Sequence, residues 1–136
     1  MKKSIIKVLA LALVAVMMCA LVSCGAPAKD PADAKAALDE NGYVATKLDN
    51  EGLGKLAFAA FELAGIDGAT NVVSGTNGDG EHVTIFYFED AAAANEQWED
   101  VQEYAEKEKD DDSDWTVKKS GNMIYFGTSA GIKAAK

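Results

Sequence analysis

Three carboxylates in an acidic run have a spacing that suits metal chemistry. Asp110, Asp112 and Asp114 alternate as the first ligands of a calcium-binding loop do. Such a loop also needs a glycine at its sixth position and a glutamate at its twelfth, where this chain has Trp115 and Gly121. We therefore interpret the run as a solvated acidic linker without a specific metal site. Loose binding of divalent cations is the alternative.

The single histidine restricts the catalytic chemistry that this chain can support. His82 lies in a strand-like segment, and none of the serines lies in the pattern of a nucleophile elbow. One histidine also cannot supply the three or four nitrogen and sulfur ligands of a zinc site. The sequence therefore predicts a protein without enzymatic activity and without a cofactor. If the protein were an enzyme whose site these patterns do not reveal, it would have a concave pocket with carboxylates that converge on His82.

The start of the chain has the pattern of an export signal. Lys2, Lys3 and Lys7 give it a charged beginning, and an apolar run follows. A helix that crosses a bilayer needs about 18 to 20 apolar residues, and the uncharged stretch from Val8 to Val22 is shorter. We therefore expect a cleavable secretory signal rather than a permanent membrane helix.

The segment Leu21-Val22-Ser23-Cys24 ends this apolar run and resembles the lipobox of bacterial lipoprotein precursors. The resemblance implies that a diacylglyceryl group is attached to the sulfur of Cys24 and that a signal peptidase cuts just before it. Residues 1–23 would then be removed, residues 24–30 would form a lipidated tether, and residues 31–136 would form one domain. An uncleaved membrane helix with an incidental cysteine is the alternative.

Removal of the signal would make an acidic chain more acidic. It takes away three of the 13 lysines and none of the 22 acidic residues, which leaves 10 positive charges against 22 negative ones, or −12. The chain also contains no arginine, and therefore no planar group for bidentate phosphate binding. These features argue against a nucleic-acid partner. They also predict that the lipid on Cys24 makes the membrane contact, with the body of the domain standing off in water.

The spacing of apolar residues, caps and turns predicts the secondary structure of the mature chain. The expected helices span 31–40, 51–64, 91–109 and 129–135, and the expected strands span 43–48, 69–76, 81–89, 115–119 and 123–127. Asp30, Asp90 and Thr128 are the expected caps of the first, third and fourth helices. The order contains the split βαβ arrangement of ferredoxin-like folds. The sequence thus predicts a single small α+β domain with an antiparallel sheet and an extra C-terminal hairpin strand.

Two of the predicted strands carry apolar side chains on both faces. Phe86 and Phe88 lie on one face of the strand 81–89, and Tyr125 lies on the strand 123–127. These three residues are candidates for a binding face or a dimer face. Cover of the second face by the first or the last helix of the same chain is the interpretation that we favour.

The C-terminal part of the chain carries a second resemblance. The segment from Tyr87 to Lys136, with its acidic helix and its Ile124-Tyr125-Phe126-Gly127 strand, is similar to small uncharacterised lipoproteins of low-GC Gram-positive bacteria. That resemblance implies a location and no activity. We expect a lipoprotein on the extracytoplasmic face of the cell membrane or envelope. It would act as a binding or accessory module for a membrane-associated protein, or as a homodimer. A self-associating structural or stress lipoprotein, or a weak binder of divalent cations, is the alternative function.

Overall fold

The computed structural model describes residues 26–52, 54–109 and 114–136. Within these residues four helices and five strands follow one another: α1 Pro31–Glu40, β1 Val44–Asp49, α2 Gly54–Leu63, β2 Ala69–Thr76, β3 His82–Phe88, α3 Ala91–Glu108, β4 Thr116–Ser120, β5 Met123–Gly127 and α4 Ser129–Ala134. The order is the predicted one, and the bounds agree to within a few residues. None of the described helices combines the length and the apolar character that crossing a membrane requires.

Capping side chains explain why three of the helices begin where they do. Asp30 caps α1, Asp90 caps α3 and Thr128 caps α4, and each accepts a hydrogen bond from a backbone N–H of the first turn. Pro31 is the first helical residue of α1, where the N–H that proline lacks would have no partner within the helix. The three predicted caps are confirmed.

The five strands form one antiparallel sheet in the order β1-β2-β3-β5-β4. Since β5 pairs antiparallel with both β3 and β4, those two strands run parallel to each other, and α3 connects them. This is a split βαβ unit. The predicted single α+β domain of ferredoxin-like type is confirmed. The split unit lies in the second half of the chain, whereas β1 pairs antiparallel with β2 and forms an edge of the sheet.

Helices α2 and α3 cover one face of the sheet through a cluster of aromatic rings. Phe86 of β3 is at its centre, with its ring centroid 5.1 Å from that of Phe61 on α2 and 6.1 Å from that of Tyr104 on α3. Phe126 of β5 lies 6.1 Å from Phe86 on the same face. Edge contacts of this kind stabilise aromatic pairs beyond the apolar area that they bury.

Helices α1 and α4 cover the opposite face. Leu38 of α1 packs so closely over β2 that a Cβ added to Gly75 would lie 3.0 Å from the Leu38 Cδ1 atom. Ile132 of α4 belongs to the same cluster as Ile85 of β3. The sheet therefore lies between two layers of helices, and each layer is supplied by this chain.

Phe86, Phe88 and Tyr125 are core residues, and the prediction that they form an exposed binding or dimer face is wrong. Phe86 is 0% exposed and Tyr125 is 3% exposed. Tyr125 also lies opposite Ile85 in the register of β3 and β5, so it points to the other face of the sheet from the two phenylalanines. The physical reason is that both apolar faces of the sheet are covered by helices of the same chain, which is the interpretation that the sequence favoured.

The described part of the segment before α1, residues 26–30, packs against the domain, which corrects the prediction that these residues belong to a tether. Ala26 is 5% exposed. The N–H of Ala28 donates to the carbonyl oxygen of Ala135 at 2.9 Å, and the Tyr87 hydroxyl donates to the carbonyl oxygen of Ala28 at 2.6 Å. A buried hydroxyl needs a partner, and this segment provides it. Residues 26–30 therefore belong to the folded domain, which was predicted to begin at residue 31.

Replacement of Phe86 tests whether this side chain is core or surface. Phe86→Ala removes the centre of the aromatic cluster and leaves a cavity, so we expect the free energy of unfolding to fall by about 3 to 5 kcal/mol. The matched control is Val44→Thr at an exposed strand position, where the change should stay within about 0.5 kcal/mol. Urea denaturation followed by circular dichroism measures both. Equal, small effects of the two substitutions would contradict the buried position of Phe86.

Candidate functional site

Several of the predicted site residues lie outside the described residues, namely Cys24, Asp110 and Asp112. Asp114 is described, and its Oδ1 and Oδ2 atoms lie 3.3 and 3.4 Å from the backbone N–H of Ser129, which donates to them. Hydrogen bonds from the side chain and the backbone of Ser129 lower the pKa of Asp114. This carboxylate thus fastens the chain before β4 to the first turn of α4. Within 26–52, 54–109 and 114–136, no three histidine, cysteine, aspartate or glutamate residues form a group suited to a metal ion.

His82, at the start of β3, lies between an aromatic ring and a hydroxyl group. Its ring stacks on that of Trp115, with centroids 5.6 Å apart and planes 4° from parallel. The His82 Nε2 atom lies 2.9 Å from the Thr84 Oγ1 atom, which in turn lies 3.5 Å from the Ser74 Oγ atom. The histidine therefore connects β3 with the chain that enters β4, and the two hydroxyls connect β2 with β3.

The pocket beside His82 is small. It has a volume of about 180 Å³, and Glu108 of α3 is a carboxylate that lines it. Burial lowers the pKa of His82 because it penalises the charged ring, and the negative charge of Glu108 acts in the opposite direction. Sites for small molecules usually have volumes of about 300 to 1,000 Å³.

A neutral imidazole next to a hydroxyl is the first requirement of a nucleophilic pair. In this chain the hydroxyl belongs to Thr84, a buried residue in the middle of a central strand, and it is shared with Ser74. The described carboxylates do not converge on the ring, since Glu108 alone among them lines the pocket. The geometry suits a structural role for His82, in which it holds β3 and Trp115 together.

A second pocket brings together lysines from two elements of structure and from the residues after α4. Lys118 of β4, Lys133 of α4 and Lys136 line a volume of about 230 Å³, together with Thr116 and Ser129. Within the described residues, the lysines that form ion pairs are Lys35 and Lys107, neither of which lines this pocket. Ammonium groups with neighbouring hydroxyls are hydrogen-bond donors suited to an anion such as phosphate. This pocket is the described part of the chain with the clearest binding chemistry.

Sequence reasoning did not find the lysine pocket. Lys118 lies on a strand and Lys133 on a helix, and no motif or period joins them. The fold brings them together because β4 is an edge strand and α4 returns over the face of the sheet beside it. A preference for lysines in the C-terminal segment of an otherwise acidic chain was the available signal.

Helix α2 carries a row of exposed apolar side chains. Leu56 is 73% exposed and Leu63 is 92% exposed, and Ala59 and Ala60 are exposed between them. These four positions have the spacing of one helix face. Phe58 of the same helix points into the core. Helix α2 is therefore apolar both towards the sheet and towards solvent.

Comparisons of this chain with known protein families, with curated proteins and with solved structures found no match. The roles of His82, of the lysine pocket and of the exposed face of α2 therefore rest on their own geometry.

The half-buried ring of His82 makes the stability of the protein depend on pH in a direction that can be measured. Burial holds the pKa of folded His82 below its ordinary value of 6.5, so the unfolded chain takes up a proton first as the pH falls. The neutral ring therefore contributes stability above about pH 6.5, and this contribution is lost as the pH falls towards the lower pKa of folded His82. We expect His82→Gln to lose less stability than the parent protein between about pH 7.5 and pH 5. Urea denaturation across this range tests it, and parallel pH curves for the two proteins would contradict it.

Proposed function

We propose that this chain is a cell-envelope lipoprotein, anchored by lipid on Cys24 to the extracytoplasmic face of a membrane. Its domain acts as a non-enzymatic binding or accessory module for a membrane-associated partner. The observation that carries the proposal is the segment Leu21-Val22-Ser23-Cys24 at the end of a short apolar run with a charged start. Such a start suits export, and the cysteine suits lipid attachment.

The architecture of the domain supports this proposal. Since Cys19 would leave with the signal and Cys24 would carry lipid, the exported domain has to be stable without disulfides. Two apolar clusters, one on each face of the sheet, supply that stability. Polar side chains provide most of the remaining surface, on which the lysine pocket and the exposed face of α2 are the features available for binding.

Substitution of the lipid-bearing cysteine tests the anchor. In a bacterium that processes lipoproteins, the parent precursor should lose residues 1–23 and gain acyl mass on Cys24, and it should sediment with membranes. Cys24→Ser should abolish both the cleavage before residue 24 and the acyl mass. The matched control is Cys19→Ser, which leaves the lipid-bearing residue intact and should be processed as the parent is. Intact mass spectrometry and membrane fractionation measure these outcomes. Acyl mass on the Cys24→Ser protein, or none on the parent, would contradict the proposal.

Self-association is a second candidate function, and the exposed face of α2 favours it. Two leucines on this face flank Ala59 and Ala60, whose small side chains allow a second helix to approach closely. The described helix carries one lysine and one glutamate, so like charges do not oppose pairing at this face as they would at the acidic α3. The partner in this function is the α2 helix of a second copy.

Charge introduced into this face should prevent the association. We expect the soluble domain to show a dimer fraction that grows with protein concentration, and the double variant Leu56→Glu/Leu63→Glu to remain a monomer, because charged side chains cannot be buried unpaired. Val44→Glu also adds a charge at an exposed apolar residue, but on β1 rather than on α2, and should leave the dimer fraction unchanged. Sedimentation velocity measures all three proteins. A parent protein that stays monomeric at every concentration would rule out this function.

A further inference from the structure

The proposed lipid anchor would lie very close to the folded domain. Ala26 is buried in the same cluster as Ile132 and Ala135, so the chain is already part of the domain two residues after Cys24. Two extended residues span at most about 7 Å. A domain of about 110 residues has a radius of gyration of about 13 Å. The part of the domain around Ala26 must therefore lie at the headgroup layer whenever Cys24 is acylated.

The surface at this point is the one that carries the lysine pocket. Ile132 lines the pocket and also packs in the cluster that contains Ala26. The N–H of Ala28 donates to the carbonyl oxygen of Ala135, and Lys136 of the pocket is the next residue. The anchor point and the pocket thus share one side of the sheet.

We propose that the pocket formed by Lys118, Lys133 and Lys136 binds the phosphate of anionic lipid headgroups and fixes the orientation of the domain on the membrane. This inference rests on the proposed lipid anchor. Lysines recognise phosphate as point charges, and the hydroxyls of Ser129 and Thr116 supply further donors. The headgroup is the source of the phosphate because the anchor holds the pocket at headgroup depth.

The negative charge of the whole domain does not prevent this contact, because the most acidic helix, α3, covers the far face of the sheet. The outer face of α3 carries exposed glutamates, including Glu96, Glu99 and Glu103, and α3 covers the face of the sheet opposite to Ala26. Exposed charges separated by more than a Debye length, which is about 8 Å at physiological salt, are largely screened from each other. Asp114 lies beside the pocket, where it accepts hydrogen bonds from Ser129. Asp30 and Asp33, at the start of α1, are acidic residues on the same face as Ala26. The residues that line the pocket include the three lysines and no aspartate or glutamate, so the pocket itself is positively charged.

The test uses the processed and lipidated protein, from which residues 1–23 have been cleaved, reconstituted into vesicles. With Cys19 removed and Cys24 acylated, an introduced cysteine is the single free thiol for an environment-sensitive dye. One reporter is Ala130→Cys, an exposed position on α4 near the pocket, and the other is Glu99→Cys on the far face. Quenching by headgroup-labelled lipid is measured in vesicles of phosphatidylcholine alone and with added phosphatidylglycerol. We expect strong quenching at position 130 and little at position 99, with a difference that grows with anionic lipid.

Substitution of the pocket lysines then tests the headgroup contact itself. Each lysine near an anionic surface changes the equilibrium about fivefold, so Lys118→Gln/Lys133→Gln should lower the ratio of docked to undocked domain about 30-fold. The effect should weaken at high salt. The matched control is Lys107→Gln/Lys109→Gln at the end of α3, which removes the same charge from the far side and should leave the ratio unchanged.

The possible results separate this inference from the anchor on which it rests. If the protein purified from cell membranes carries no acyl mass on Cys24, the lipid anchor is wrong and the inference falls with it. If the protein joins vesicles but the reporters at 130 and 99 are quenched equally, the anchor stands and the fixed orientation is overturned. If position 130 is quenched but both lysine pairs have the same effect, the pocket is not the headgroup site.

Discussion

Burial of β3 on both faces is the constraint on which this fold depends. Every residue from Val83 to Phe88 is buried, with phenylalanine on one side of the strand and isoleucine and tyrosine on the other. A sheet with such a strand at its centre cannot expose either face to water without leaving large apolar area unprotected. Four helices cover the sheet, two on each face. Helices α1 and α4, at the two ends of the domain, cover one face, and helices α2 and α3, which lie between strands in the sequence, cover the other.

The same constraint explains why the segment before α1 is part of the domain. Tyr87 points from β3 into the layer of α1 and α4, where its ring is buried and its hydroxyl must find an acceptor. The backbone carbonyl of Ala28 provides it, and burial raises the pKa of Tyr87 well above its ordinary value, so the hydroxyl stays a donor. The backbone bond from Ala28 to Ala135 closes the same layer. The hydroxyl group of Tyr87 thereby holds the segment before α1 against the domain.

Local signals made most of the elements predictable, and long-range contacts account for what was missed. The caps at Asp30, Asp90 and Thr128 are read from one residue and its neighbours, and each agrees with the structure. The alternation in β3 predicts two apolar faces but cannot say what covers them. The composition of residues 25–30 is typical of a linker, and its attachment depends on Tyr87, 59 residues further along the chain from Ala28. The composition of a short segment cannot predict a contact with a residue so far away in the sequence.

The position of the acidic helix α3 has a consequence for any partner of an anchored domain. If the side with Ala26 and the lysine pocket faces the membrane, α3 and its exposed glutamates face away from it, because α3 covers the opposite face of the sheet. The surface that a soluble or membrane-associated protein meets first is then strongly acidic, and charge complementarity steers association with basic surfaces. The exposed leucines of α2 share this outer layer. In that orientation, an acidic surface bordered by a narrow apolar row would favour a partner that is basic around a small apolar centre, and it would disfavour nucleic acid and other anionic surfaces.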